Sequence, residues 1–262
     1  MTKRTFYTIL LLSITSFILW SATTEQRPDH IGFKVGEHYG YKIKYGILTI
    51  GQADVDMSAT LVKVNDRPCY KVNVLGRTVG VTDLFKVRNN YQSYIDTASI
   101  LPQKFVYSAR EGDYKRDQSF IFDRNRNKVM RYENNKKTEY KVPQNVQDVI
   151  SSYYYLRTLD YSKLLSGNRP KAPLFFDDEL YDMQVKFAGK SKVKTRFGSI
   201  DVLMLHPILP ANSLFKDEES IRIFVSDDAN RVPIRLEIDF KFGTVSMEMH
   251  SYKNVMHPFK WS

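Results

Sequence analysis

In the stretch QADVDMSATL, residues 52 to 61, every odd-numbered residue is apolar and every even-numbered one is polar. Alternate side chains of an extended chain point to opposite faces, so five consecutive matches from Ala53 to Leu61 predict a half-buried strand. The preceding YGYKIKYGILTIG puts Tyr39, Tyr41, Ile43, Tyr45 and Ile47 on one side, with Gly46 and Gly51 marking bends or bulges. Short runs of the same kind follow: YKVNVLG, YQSYID, PQKFVYS, DQSFIFD, NKVMRYEN and KTEYKV. Turn chemistry such as DRNRN and ENNKK separates them. After residue 180 the pattern resumes in YDMQVKFAG, SKVKTRF, SIDVLML, SIRIFVS, VPIRLEIDF and TVSMEMHSY. Regularly spaced short strands of this kind predict a mainly β, antiparallel fold, α+β at most.

One segment breaks the alternation. QNVQDVISSYYYLRTLDY, residues 144 to 161, predicts a helix over about 145–160, entered after Pro143 with Asn145 as N-cap. At 100° per residue, Val146, Val149, Ile150, Tyr153, Leu156 and Asp160 gather on one side, with Gln147, Asp148, Ser151, Ser152 and Thr158 opposite. Arg157 falls within about 20° of Val146, inside the apolar stripe. A buried guanidinium costs several kcal/mol unless acids or carbonyls take its five donors. The sequence therefore predicts a largely buried Arg157 set against an acid, with Asp227, Asp228 and Glu237 as candidates. The stretch from Ser162 to Glu179, with Gly167, Pro170 and Pro173, predicts no long helix.

The chain opens with Lys3 and Arg4 and an apolar run from Phe6 to Trp20. Fifteen residues fit a secretory leader and fall short of the ~20 needed to span a bilayer. The expectation is an exported protein of the periplasm or cell envelope. Residues 1–22 would act as signal peptide, or as an uncleaved anchor near the membrane, before a single domain over 23–262. Cys69, the lone cysteine, cannot form an internal disulfide and sits in a predicted strand as a small hydrophobe. Formal charge is +10 and falls to about +8 without Lys3 and Arg4. That balance favours anionic partners, but export disfavours nucleic acid.

Chemical motifs are sparse. His30, His38, His206, His250 and His257 show no metal-ligand spacing, and no nucleophile elbow or phosphate loop occurs. No cofactor or metal is expected. Asp227 and Asp228 form a carboxylate pair within DDANRVP, a sequence that equally suits a hairpin connection. Lys186, Lys190, Lys192, Lys194 and Arg196 share one parity and predict a basic ridge on one strand face. That ridge would meet phosphate, or serve as a solvated face that discourages edge pairing.

The stretches VGEHYGYKIKYGILTIGQADVDM, QDVISSYYYLR and VSDDANRVPIRLEIDFKFGTVSMEM together resemble the domain of unknown function 3108 family, from about Ile31 to Tyr252. The resemblance implies an exported envelope protein of bacteria, with antiparallel sheet rolled into an incomplete barrel. It implies no reaction and no catalytic residue, but it singles out Asp148, Arg157, Asp227 and Asp228. Tyr153, on the helix stripe, joins these as a binding or structural candidate. With 16 Phe and 17 Tyr, the expected function is non-enzymatic: an apolar or lipid-like ligand, or another envelope protein, held on a curved sheet. The alternatives are a carboxylate-based hydrolase or glycan-active enzyme of the envelope, and a structural component of an envelope assembly.

Overall fold

The computed structural model describes residues 31–208, 217 and 219–262. The leader read from residues 1–22 lies outside them. The first half is a run of strands: β1 (His38–Tyr45), β2 (Leu48–Met57), β3 (Val62–Val64), β4 (Arg67–Thr78), β5 (Arg88–Asp96), β6 (Pro102–Glu111), β7 (Tyr114–Asp123), β8 (Lys128–Glu133) and β9 (Lys136–Lys141). A crossing segment follows, with α1 (Val149–Thr158), α2 (Tyr161–Leu165) and the hairpin β10 (Leu174–Phe176) and β11 (Glu179–Tyr181). The second half holds β12 (Gln184–Thr195), β13 (Gly198–Ile208), β14 (Ile221–Ser226), β15 (Pro233–Phe240) and β16 (Gly243–Lys253).

All the strands but β10 and β11 form one sheet. Its order is β12-β13-β14-β15-β16-β1-β2-β4-β5-β6-β7-β8-β9, with β3 paired to β4. Each half is an antiparallel meander, and the halves join where β1 pairs with β16. The end strands β9 and β12 do not pair with each other, so the rolled sheet is an incomplete barrel. Two-residue turns at Asn65–Asp66, Asn134–Asn135 and Asp177–Asp178 all have positive φ. That is the geometry that matches the right-handed twist of the strands they join.

The helical segment fills the hollow of this sheet. Ile150 and Tyr154 belong to the same core as Tyr39, Val72, Phe105 and Phe120. Leu156, Leu159, Tyr161 and Leu164 belong to a second core with Val185, Leu205 and Val225. The first core also takes in Val193, Ile200, Val202, Val232 and Ile234, so the first turns of α1 pack in a core that both meanders share. Its last turn, with α2, packs in a smaller core on the C-terminal meander alone.

Four expectations need correction. The alternation of 52–61 outruns the strand, which ends at Met57, because the chain turns toward β3 and leaves Ala59 and Leu61 exposed. The helix is shorter than 145–160 and its N-cap is Asp148, not Asn145. The Asp148 carboxylate accepts from the Ile150 and Ser151 amides, while Ser151 Oγ accepts from the Asp148 amide. That reciprocal box holds the first turn more firmly than Asn145 could from four residues upstream. Val149, placed in the apolar stripe, is exposed, while Ser151, Ser152 and Thr158 opposite it are buried. A helix enclosed by a rolled sheet has no fully wet face. Finally, a bulge between Phe187 and Gly189 breaks the basic ridge. Lys186 pairs with His206 but Lys190 with Leu203, residues of opposite parity on β13, so Lys186 leaves the face that carries Lys190, Lys192 and Lys194.

The packing of the crossing segment is directly testable. Leu164 is 1% exposed and its neighbour Leu165 is 45% exposed. Leu164→Ala is expected to cost about 2–5 kcal/mol in urea unfolding, and Leu165→Ala less than about 0.5.

Candidate functional site

Arg157 is wholly buried, and so is its acid, Glu37. Nη1 donates to Glu37 Oε1 at 2.5 Å, and Nη2 donates to Glu37 Oε2 at 3.2 Å and to the Gly32 carbonyl at 2.6 Å. Nε donates to the Asn230 carbonyl at 3.0 Å. Four bonds therefore leave the guanidinium toward two segments, residues 32–37 ahead of β1 and the β14–β15 loop, and tie both to α1. Four rings enclose it, with the guanidinium carbon 5.1 Å from the centre of Phe33, 5.5 from Tyr154, 5.6 from Tyr39 and 5.9 from Tyr153. Burial is the largest single influence and works against the arginine's charge, but Glu37, Tyr39 and Tyr153 together outweigh it and hold the guanidinium well above its ordinary pKa. Burial also pushes the Tyr153 phenol up to about 12, so this ring stays neutral at physiological pH. Tyr39 Oη donates to Glu37 Oε2 at 2.9 Å. The result is a charge-balanced, fully desolvated junction.

Neither Asp227, Asp228 nor Glu237 is the partner of Arg157. Glu237 pairs with Arg222 on the sheet, and Asp227 pairs with Lys190 at 2.9 Å. Asp228 acts within its own loop, where Oδ1 accepts from Ser226 Oγ and from the amides of Asn230 and Arg231. Those bonds shape the loop that aims the Asn230 carbonyl at Arg157. The same loop sends Arg231 back across Tyr161, 4.3 Å from the ring centre, and onto the Leu159 carbonyl. The carboxylates of DDANRVP therefore serve a turn that seats the helix. The atom that meets Arg157, the Asn230 carbonyl, lies two residues beyond Asp228.

Asp148, also buried, ties the start of α1 to the sheet by accepting from Ser93 Oγ at 2.6 Å. Tyr153 belongs to the arginine's ring of aromatics. Of the ridge, Lys192 lies 3.5 Å from Asp201, and Arg196 donates to the His250 ring at 2.9 Å. Lys190, Lys192 and Lys194 are exposed. Among the described residues, no group of three His, Cys, Asp or Glu side chains could hold a metal ion.

A second feature went unnoticed in the sequence. The hairpin β10–β11 lies over the sheet at β6–β9, where Phe175 meets Phe120 (6.0 Å) and Tyr140 (5.0 Å). Its tip aspartates are clamped to the sheet, Asp177 to Arg116 at 3.3 Å and Asp178 to Arg131. Beside it opens a cleft of about 400 Å³. Phe105, Tyr107, Phe120, Phe122, Phe175 and Phe176 supply its apolar lining, with Glu111, Arg116, Gln118 and Asp177 among its polar groups. Phe105 and Tyr107 pair across the ladder with Phe120 and Gln118, so this face is one contiguous patch. The signal was present in LFFDDELY, but an Asp-Asp turn is a weaker hairpin mark than Asn-Gly.

The family model described as "Protein of unknown function (DUF3108)" matches residues 40–250. The chain belongs to this family. The family match takes in Arg157, Asn230 and the whole cleft, and begins three residues after Glu37. No curated protein matches the sequence. Among solved structures, the β-barrel-like protein of domain of unknown function DUF1849 from Brucella abortus superposes with a TM-score of 0.56 and 10% identity. The match covers 85% of this chain and 99% of that one, and shows a shared fold. A protein described as a lipoprotein from Parabacteroides distasonis (10% identity, TM-score 0.35, 85% and 97% covered) and one described as exported from Bacteroides fragilis (7%, 0.36, 86% and 99%) overlap too little to carry an argument.

The junction and the helix cap each predict a measurable response. Arg157→Met leaves Glu37 buried and unpaired and is expected to cost about 3–5 kcal/mol in urea unfolding. Adding Glu37→Leu to that variant should restore most of the loss; a double variant no better than the single one would contradict the pairing. Asp148 behaves oppositely to a surface carboxylate, because burial pushes it up to about 6 despite the Ser151, Ser93 and Ile150 donors. The folded protein then holds a proton that the unfolded chain has released, so stability falls as pH rises from about 4 to about 6. Asp148→Asn should remove that slope, gaining on the order of 3 kcal/mol relative to the parent between pH 4 and pH 7. Parallel denaturation curves for the two proteins across that range would refute it.

Proposed function

We propose that this protein is a non-enzymatic binding protein of the bacterial envelope that holds the apolar part of an amphiphile in the cleft beside the β10–β11 hairpin. The observation that carries the reading is the cleft's lining. Seven aromatic side chains, counting Tyr114, line it together with Glu111, Arg116, Gln118 and Asp177. Its volume falls in the range of small-ligand sites, which are typically apolar with a few polar groups that set orientation. The polar groups suit a head group that hydrogen-bonds, since Arg116 is flanked by Glu133 and Asp177 rather than free to neutralise a strong anion. Export is supported by Lys3, Arg4 and the apolar run to Trp20.

The carboxylate-enzyme reading has less behind it. Asp227 and Asp228 are engaged by Lys190 and by their own loop, and neither lines the cleft.

The test is a fluorescent fatty-acid analogue titrated into the full chain, with native mass spectrometry of the protein as purified. Saturable binding is expected. Tyr107→Ala combined with Phe176→Ala should weaken it about tenfold, from the loss of aromatic contact area. Absence of saturable binding, or affinity unchanged in the double variant, would remove the cleft from consideration.

A further inference from the structure

Large apolar side chains are exposed at one end of the sheet. Ile47 in the β1–β2 turn is 97% exposed, and Val81 and Leu84 in the 3-10 segment Gly80–Phe85 between β4 and β5 are each 82% exposed. Leu48, Phe85 and Phe242 are also exposed, the last in the β15–β16 turn. The antiparallel order places all three connections at the same end, because β1, β4 and β15 run toward it and β2, β5 and β16 run away. The connections also touch. Tyr45 Oη donates to the Phe242 carbonyl at 2.6 Å, and the Val79 amide donates to the Ile50 carbonyl at 3.4 Å. With strands about 4.8 Å apart, the rim from β15 to β5 is a continuous apolar edge of roughly 25 Å. Soluble monomers rarely expose contiguous apolar groups of this kind without a use for them.

The charges around the edge indicate what covers it. Lys44, Lys86, Arg88 and Lys241 stand beside the apolar tips; the carboxylates equally near are Asp83 and Asp239, and Asp239 is held by Arg222. None of the four cations is in an ion pair among the described residues. The next turn, Gly112–Asp113, adds Glu111, Asp113 and Lys115, which leaves the edge cationic. Apolar side chains on loop tips, ringed by lysine and arginine, match the two attractions of an anionic bilayer: insertion below the head groups and charge pairing with them. We infer that this edge docks the protein on the surface of a membrane rich in anionic phospholipid. The docked geometry turns the end of the aromatic cleft that holds Glu111 and Tyr114 toward the lipid. The inference stands on the edge itself and does not need the cleft to bind anything.

The test reads the edge locally, so that a membrane-bound leader cannot produce the signal. Ile47→Cys carries an environment-sensitive fluorophore, and Asn65→Cys, at the opposite end of the sheet, serves as the control. Cys69 is buried and its thiol is pushed up to about 11 by that burial, so it does not compete for the label. With vesicles of phosphatidylglycerol and phosphatidylcholine, the label at 47 should shift to the blue and brighten while the label at 65 stays water-like. Lys86→Glu with Lys241→Glu should remove most of that response, as should salt raised to about 0.5 M. No shift at 47, or an equal shift at 65, overturns the inference. A shift that needs no vesicles and grows with protein concentration assigns the edge to a second copy of the chain and overturns it as well.

Discussion

A charged pair held wholly out of water organises this molecule. Desolvating Glu37 and Arg157 costs several kcal/mol for each ion, and their attraction offsets that cost only when the geometry is good and the remaining donors are satisfied. Here the guanidinium makes four hydrogen bonds, to the Glu37 carboxylate and to the Gly32 and Asn230 carbonyls. Gly32 and Glu37 lie in the segment before β1, and Asn230 in the β14–β15 loop. The segment before β1, the helix α1 and the β14–β15 loop must all be in place before any one of them is comfortable. A pair of this kind adds little net stability, but it disfavours every arrangement in which one partner is missing.

That selectivity suits an open sheet. A closed barrel fixes its own shape through its hydrogen bonds, whereas β9 and β12 here have no bond to each other and the curvature must be held from inside. The crossing segment does this by placing its side chains in two cores, a larger one built from both meanders and a smaller one built from the C-terminal meander. Arg157 sits between the two. On the far side the β10–β11 hairpin takes up the slack, clamped through Asp177 and Asp178 to Arg116 and Arg131. The cleft beside it is what remains between a curved sheet and a hairpin too short to cover it.

Much of this was legible in the sequence, for local reasons. Period-two alternation located the strands, and Asn and Asp located the turns, since both signals depend on neighbouring residues alone. A cation inside an apolar helical stripe announced a buried arginine. Its partner went unread because Glu37 lies 120 residues away, although it continues the odd, inward parity of Tyr39 and Tyr41 directly ahead of β1. The ridge through Lys186 failed for the opposite reason. Parity was read correctly, but one bulge at Ala188 reverses it, and bulges leave almost no mark in a single sequence. The helix start shifted from Asn145 to Asp148 because the deciding feature was reciprocity with Ser151, which a preference for one residue type does not capture.

The three stretches that carried the family resemblance prove to be the three that meet at the arginine: the opening VGEHYGY, the helix and the SDDANRVP loop. The central claim is that this meeting makes two meanders one cooperative unit. Native-state hydrogen exchange read peptide by peptide measures that directly. The account predicts that the slowest amides of β4–β6 and of β13–β15 open with the same free energy, equal to that of global unfolding, and that those of α1 open with them. Amides of one meander exchanging through a distinctly cheaper opening while the other stays protected would contradict it.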